Sequence, residues 1–230
     1  RTSRTYSRLV HQEGVINGLS SSKIRAIREY PEGILWVGTE DQGLNKVYLD
    51  ENRKPARFKH YKHEAGNSNS ITSNKIYAFH VDPQGRLWIG TDNGLTIMDI
   101  ESETFRQYLP DTVNPTSLNN NTVYSIFGDK AGNIWLATDL GINRYNPETG
   151  GFIHYVHNSK DVNTVVHNEI LCFYEDSQGK IWIGTYGKGL DQLDPKTGKF
   201  RHFSDITQLS TAVVYGILED DDHNLWLSTN

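Results

Sequence analysis

The chain contains one cysteine, Cys172, so no internal disulfide can staple it, and packing and hydrogen bonds must hold the fold. Its setting in Ile170-Leu171-Cys172-Phe173 reads as a small buried hydrophobe rather than a reactive thiol. No basic run occurs. With a formal net charge of -5 and a pI near 6.0, the chain lacks the cationic excess that neutralises phosphates, which excludes a nucleic-acid surface. No apolar stretch approaches the roughly 20 residues that cross a bilayer, and Arg1 opens a polar segment without a signal-like core. Membrane contact is therefore expected only through other parts of a parent protein. A long pattern of helical period is missing as well. What is present is 36% hydrophobic residues, enough for a core, and 22% charged residues, enough to keep a surface soluble. A globular chain follows, and 230 residues can form one all-β unit.

The five tryptophans stand at 36, 88, 135, 182 and 226, at spacings of 52, 47, 47 and 44 residues. The surrounding text recurs with them: Gly-Ile-Leu-Trp-Val-Gly-Thr (33–39), Gly-Arg-Leu-Trp-Ile-Gly-Thr (85–91), Gly-Asn-Ile-Trp-Leu-Ala-Thr (132–138), Gly-Lys-Ile-Trp-Ile-Gly-Thr (179–185) and His-Asn-Leu-Trp-Leu-Ser-Thr (223–229). Each unit reads as four short strands. In the third, Val123–Phe127 is followed by the turn Asp129-Lys130-Ala131-Gly132, then by strands at 134–138, 142–145 and 152–155. Four antiparallel strands per repeat of about this length are the dimensions of a β-propeller blade. The fold class is therefore all-β, a propeller of four-stranded antiparallel blades. Trp36, Trp88, Trp135, Trp182 and Trp226 are expected in the core between blades. Phe58, Phe105, Phe152 and Phe200 recur in phase on the outer strand and anchor it.

The register predicts blades at about 24–70, 71–117, 118–164 and 165–210, with partial blades at 1–23 and 211–230. Thr5 to Val10 reads as the outer strand of an earlier blade. The whole of 1–230 is then one propeller segment, taken as part of a larger propeller rather than a ring of five.

The repeat, in forms such as Ile-Leu-Cys-Phe-Tyr-Glu-Asp-Ser-Gln-Gly-Lys-Ile-Trp-Ile-Gly-Thr-Tyr-Gly-Lys-Gly-Leu-Asp-Gln-Leu-Asp-Pro (170–195), resembles the two-component regulator propeller repeat over nearly the whole chain. The resemblance implies a seven-bladed propeller in the periplasmic sensor region of a hybrid two-component histidine kinase of Bacteroidetes. It implies an oligosaccharide ligand, a homodimer, and a connector domain and further blades in the same protein. No kinase or receiver motif lies in this chain, which is expected not to be an enzyme and to carry no cofactor. Two departures mark the end blades: Tyr30 stands where other repeats have a turn aspartate, and His223 where they have glycine.

In a propeller, the loop entering the inner strand and the loop joining the second and third strands share one face. Ligand contacts are expected there, from Glu40 and Asp41, Asp92 and Asn93, Asp139, Tyr186 and Lys188, and from the in-phase Asn74, Asn121 and Asn168, with Ser22 as counterpart in the first blade. Carboxylates, amides and a phenol suit sugar hydroxyls and apolar sugar faces. The same Asn and Asp residues can instead cap their own turns.

Three chemical alternatives are weaker. The repeat also resembles propeller lyases of the streptogramin-lyase type, for which His167 beside Glu169 would be the general base, but no second histidine occupies a matching loop. The Asp-x-x-Gly-x-x-Trp turn resembles the Asp box of sialidases, yet arginines here do not repeat as such enzymes require. His60, His154 and His202 belong to different blades, and Glu219-Asp220-Asp221-Asp222 lacks alternating ligand spacing, so no metal site is expected. Protein–protein scaffolding is the remaining alternative.

Overall fold

Hydrophobic runs of five or six residues bounded by Asp, Gly and Asn turns become strands, and strands are the only regular elements among the described residues of the computed structural model, 8–203 and 206–230. The first blade comprises β1 (Ile24–Glu29), β2 (Ile34–Thr39), β3 (Leu44–Leu49) and β4 (Pro55–Tyr61). The second is β5 (Ile76–Val81), β6 (Arg86–Thr91), β7 (Gly94–Asp99) and β8 (Thr104–Tyr108). The third is β9 (Val123–Gly128), β10 (Ile134–Thr138), β11 (Gly141–Asn146) and β12 (Gly151–Tyr155), and the fourth β13 (Ile170–Glu175), β14 (Ile181–Thr185), β15 (Leu190–Asp194) and β16 (Lys199–His202). A hairpin of β17 (Val214–Glu219) and β18 (Leu225–Thr229) follows. Each blade is an antiparallel meander in sequence order, and the innermost strands β1, β5, β9, β13 and β17 lie side by side in turn. The outer strand expected near Thr5 falls largely in residues 1–7, outside the described residues.

Apolar side chains fill the spaces between blades. Trp36, Leu44, Ile76, Leu87, Ile89 and Met98 form one such layer, Trp88, Leu95, Val123 and Phe152 the next, and Trp135, Ile142, Ile170 and Ile181 a third. Each fully buried tryptophan removes roughly 200 Å² from water, worth about 5 kcal/mol at ~25 cal/mol per Å². Trp36, Trp88 and Trp135 are fully buried, and Trp182 is partly covered. Trp226 departs from the core placement expected of it: it is 65% exposed, because no further blade among the described residues packs on its side of β17 and β18.

Every tryptophan also closes its own hairpin turn. The indole Nε1 of Trp88, Trp135, Trp182 and Trp226 donates to the carboxylate of Asp82, Asp129, Asp176 and Asp220, at 2.7, 2.9, 2.7 and 2.7 Å. The other carboxylate oxygen accepts backbone N–H groups of the turn, as Asp176 does from Gln178 and Lys180. In the first blade, where Tyr30 replaces the aspartate, Trp36 donates to the Tyr30 carbonyl at 2.7 Å. The turn at the opposite end needs glycine for a separate reason. Gly94 has a φ of 101°, and a Cβ there would stand 2.5 Å from the Tyr108 carbonyl oxygen.

Candidate functional site

The strand register decides which loops meet. Ile24 pairs with Thr39, Ile76 with Thr91, Val123 with Thr138, Ile170 with Thr185 and Val214 with Thr229. The start of each inner strand and the end of each second strand therefore lie together, and the loops attached to them form one rim around the central channel, the mouth of the propeller.

At that rim every inner strand is interrupted at the same step. The pairing skips one residue between Ile24 and Ala26, Ile76 and Ala78, Val123 and Ser125, Ile170 and Cys172, and Val214 and Gly216. The skipped residues are Arg25, Tyr77, Tyr124, Leu171 and Tyr215, one β-bulge on each inner strand. A bulge breaks the in-out alternation and re-aims its side chain. The rings of Tyr77 and Tyr124 stand 5.1 Å apart with their planes inclined at 54°, and the Arg25 guanidinium lies 6.0 Å from the Tyr77 ring centre. Tyr215 is more than half exposed. The mouth is thus edged by an arc of tyrosines that the choice of loop residues did not include. Their signal was in the sequence all the same: positions 25, 77, 124, 171 and 215 keep the tryptophan spacings of 52, 47, 47 and 44.

The residues expected to contact a ligand divide into two groups. The in-phase asparagines are largely spent on the chain itself. Asn74 Oδ1 accepts the N–H of His63 at 2.8 Å, Asn168 Oδ1 that of His157 at 2.7 Å, and in the first blade Ser22 Oγ takes that of His11 at 3.1 Å. These bonds tie down the long segment that crosses from one blade to the next. The backbone carbonyls of Asn74, Asn121 and Asn168 accept from Gly43, Gly94 and Gly141, so this loop is also stitched to the loop after the second strand.

The second group reaches solvent at the rim. Asp41 pairs with Lys23 at 3.1 Å and Glu40 with Arg25 at 3.2 Å, and the Ser21 hydroxyl together with Lys23 lowers the Asp41 carboxyl below its usual range. Asn93 donates to the Thr72 carbonyl at 3.3 Å. Lys75 hydrogen-bonds Tyr77, which raises its ammonium above the ordinary lysine value, and the negative charge of Asp92 nearby adds to this. Burial first, and then the carboxylate of Asp139, push the Tyr124 phenol upward. Tyr186 and Lys188 are exposed on the loop of the fourth blade. Blades two and three thus present phenols already oriented by a neighbouring charge, beside carboxylates that can accept from hydroxyls.

The chemically minded alternatives do not assemble. The His167 ring accepts the N–H of Glu169 at 3.2 Å and so caps its own loop. His60, His154 and His202 each point Nε2 at a carbonyl of the preceding crossing segment, Gly18, Ser117 and Val162, at 2.8 Å. Among the described residues no three His, Cys, Asp or Glu side chains converge as a metal site would require. Cys172 is partly buried against the Val214 carbonyl, and burial pushes its thiol up to about 11. Among the described residues no helix is long and apolar enough to cross a membrane.

Comparison with known proteins agrees with this geometry. The family model described as two component regulator propeller matches five times, at residues 18–41, 70–93, 117–139, 164–187 and 208–230, about half of the chain in all. No curated protein matches. The extracellular domain of the hybrid two component system BT3049 from B. thetaiotaomicron is 29% identical, with a TM-score of 0.60 over 96% of this chain. The chain spans only 34% of that domain. Virginiamycin B lyase from Staphylococcus aureus is 16% identical with a TM-score of 0.63, over 89% of this chain and 62% of the lyase. PorZ, a surface component of the type-IX secretion system of Porphyromonas gingivalis, is 17% identical with a TM-score of 0.62, over 90% of this chain and 31% of its own. At those two identities the likeness is one of fold.

Proposed function

The chain belongs to the two component regulator propeller family, and from that premise we propose that it is the ligand-binding part of a periplasmic sensor that takes an oligosaccharide at the channel mouth. The observation that carries the reading is the ring of bulges. One side chain per blade is lifted out of the sheet at the rim, and three of the five are tyrosines. A tyrosine offers a flat apolar face for a sugar ring and a hydroxyl for its edge, at small conformational cost. Glu40, Asp41, Asp92, Asn93, Asp139, Tyr186 and Lys188 supply the polar rim that fixes orientation. Asn74, Asn121 and Asn168 serve this site by holding the loops.

Binding rather than catalysis is the proposed role. His167, the one histidine placed to act as a base, is engaged with its own backbone. A kinase, a connector and the remaining blades of a seven-bladed ring belong to the proposed parent protein, in which ligand binding rearranges a homodimer across the membrane.

The test is a thermal-shift and calorimetric screen of the chain against plant, host and microbial oligosaccharides, since a ligand that prefers the folded state raises its melting temperature. A saturable shift with one glycan class, abolished in Tyr77→Ala and Tyr124→Ala and unaccompanied by conversion of the glycan, is expected. Turnover of the glycan would replace the reading by a lyase or hydrolase. Binding undisturbed by either tyrosine substitution would move the site away from the mouth.

A further inference from the structure

On the face opposite the mouth, neighbouring blades are clamped by a carboxylate. Glu175, the last residue of β13, accepts the backbone N–H of Lys130 in the third-blade turn at 2.6 Å. Glu219, the last residue of β17, accepts the N–H of Ser177 at 2.7 Å and its hydroxyl at 2.8 Å. The residue after each turn aspartate donates, and the inner strand of the next blade answers with a glutamate.

The two earlier junctions have lost both halves of this clamp. The donor positions are Pro31 and Pro83, which have no N–H, and the answering positions are Val81 and Gly128. Val81 fills its place with apolar bulk and is buried in the layer with Trp36 and Leu87. Gly128 fills nothing. A cavity of about 300 Å³ remains between the second and third blades, walled by Arg28, Tyr30, His80 and Pro83 and by the backbone of Gly128. The His80 ring lies directly against Gly128, and any Cβ there would collide with it.

The polar groups in this cavity are of two kinds. Asp82 and Asp129 also line it, but both carboxylates are buried and committed, Asp82 to Trp88 and Arg86, Asp129 to Trp135 and Asn133. The remaining polar side chains are the Tyr30 phenol, the Arg28 guanidinium and the His80 imidazole; Arg28 is a donor and the imidazole offers an N–H from one ring nitrogen, and neither Arg28 nor His80 has a hydrogen bond or ion pair within the described residues. Burial, and then the charge of Arg28, hold the His80 ring below its usual value against the opposing pull of Asp82. An arriving anion could accept from both groups at once.

We propose that this gap is a second binding site, for a small organic carboxylate whose carboxyl group is held by Arg28 and His80. Its volume lies at the lower end of small-molecule pockets and suits a ligand no larger than a single acidic sugar ring. The site is remote from the mouth and independent of what binds there. Arg28, contributed by the first blade, makes it a junction of three blades, so occupancy would tie together a part of the ring where the glutamate clamp is missing.

The experiment is an NMR titration of the histidine side chains of the chain with acetate and galacturonate, with glucose and inorganic phosphate as comparisons. The His80 resonance is identified by its loss in His80→Gln. Saturable movement of that resonance with both carboxylates and not with glucose is expected, with affinity about tenfold or more weaker in Arg28→Gln, as loss of a charge-assisted contact implies. Arg28 is exposed, so the variant is expected to fold, which circular dichroism checks. A resonance that stays still with both acids, or equal affinity in Arg28→Gln, overturns the proposal. Phosphate moving it as strongly as the carboxylates also overturns it, reducing the site to a general anion contact.

Discussion

Asp191 and His202 face each other across β15 and β16, with His202 Nδ1 2.7 Å from Asp191 Oδ1. The same cross-strand position joins Asn45 to His60 and Asn143 to His154 in the first and third blades, and Thr96 to Gln107 in the second. In each blade the inner member also accepts a backbone N–H of the crossing segment: Ser20 to Asn45, Thr72 to Thr96, Asn119 to Asn143, Val166 to Asp191. Only the fourth blade does this with a carboxylate, and it is fully buried. Because His202 Nε2 must donate to the Val162 carbonyl, the short Nδ1 to Oδ1 contact traps a further proton.

A pH dependence follows. Burial alone would lower the His202 value, but Asp191 and the Val162 carbonyl outweigh it and raise it; burial raises Asp191 against its bonds from His202 and Val166. Both shifts mean that the folded chain binds the shared proton more tightly than the unfolded one. That stabilisation is complete below the ordinary histidine range and is lost as pH rises through the raised His202 value. Melting temperature should therefore fall as pH rises above about 6.5, and Asp191→Asn should flatten the profile. Identical profiles would show that the pair does not hold the crossing segment in this way.

Acid should act elsewhere. Glu103 bridges the buried Lys46 at 2.8 Å and Lys59 between the first two blades. Burial would raise its carboxyl, yet the hydrogen bonds from Lys46 and Lys59 bring it down to about 2. The linkage contributes above the normal glutamate range and is lost as pH falls towards about 2. Glu103→Gln leaves the Lys46 ammonium without its partner, and urea unfolding at neutral pH should report a loss of about 3 kcal/mol, shrinking in acid.

The turn aspartates should differ in weight according to what their tryptophan packs against. Asp129→Ala removes the acceptor of the buried Trp135 indole and of the Asn133 N–H, at a cost of about 2–4 kcal/mol. Asp220→Ala frees an indole that can turn to water, and a clearly smaller loss than for Asp129→Ala is expected. Equal losses by chemical denaturation would mean that the turn itself, rather than the indole, sets the energy.

Gly90 holds two blades close together. A Cβ at this residue of β6 would stand 2.6 Å from the Val123 carbonyl oxygen of the next blade. Since backbone rather than a flexible side chain must move, Gly90→Ala should destabilise by about 1–3 kcal/mol. Gly66→Ala tests the other kind of glycine, with open space around it and only a φ of 79° to oppose the change.

The architecture was legible because each framework role recurs: tryptophan with its turn, glycine at its crossing, phenylalanine on the outer strand. Which face gathers the loops was legible too, from propeller winding. The tyrosine arc is harder to read, because β5 or β9 taken as an uninterrupted strand gives Tyr77 and Tyr124 an ordinary alternating place, and a bulge leaves no mark in composition. The asparagines at 74 and 168 stand in rim loops and so read as ligand contacts, and the hydrogen bonds that occupy them span eleven residues, too far for a local turn rule to reveal. Trp226 carries the same motif as its siblings, but burial depends on a neighbour, which no motif encodes.

The bond between each indole and its aspartate joins residues only six apart, within one hairpin, and the bulge sits on the inner strand of that same hairpin. A gene that duplicates, deletes or exchanges one such unit therefore moves a finished turn together with one bulged position at the rim. Recognition can drift by a single codon per repeat while the scaffold is inherited unchanged.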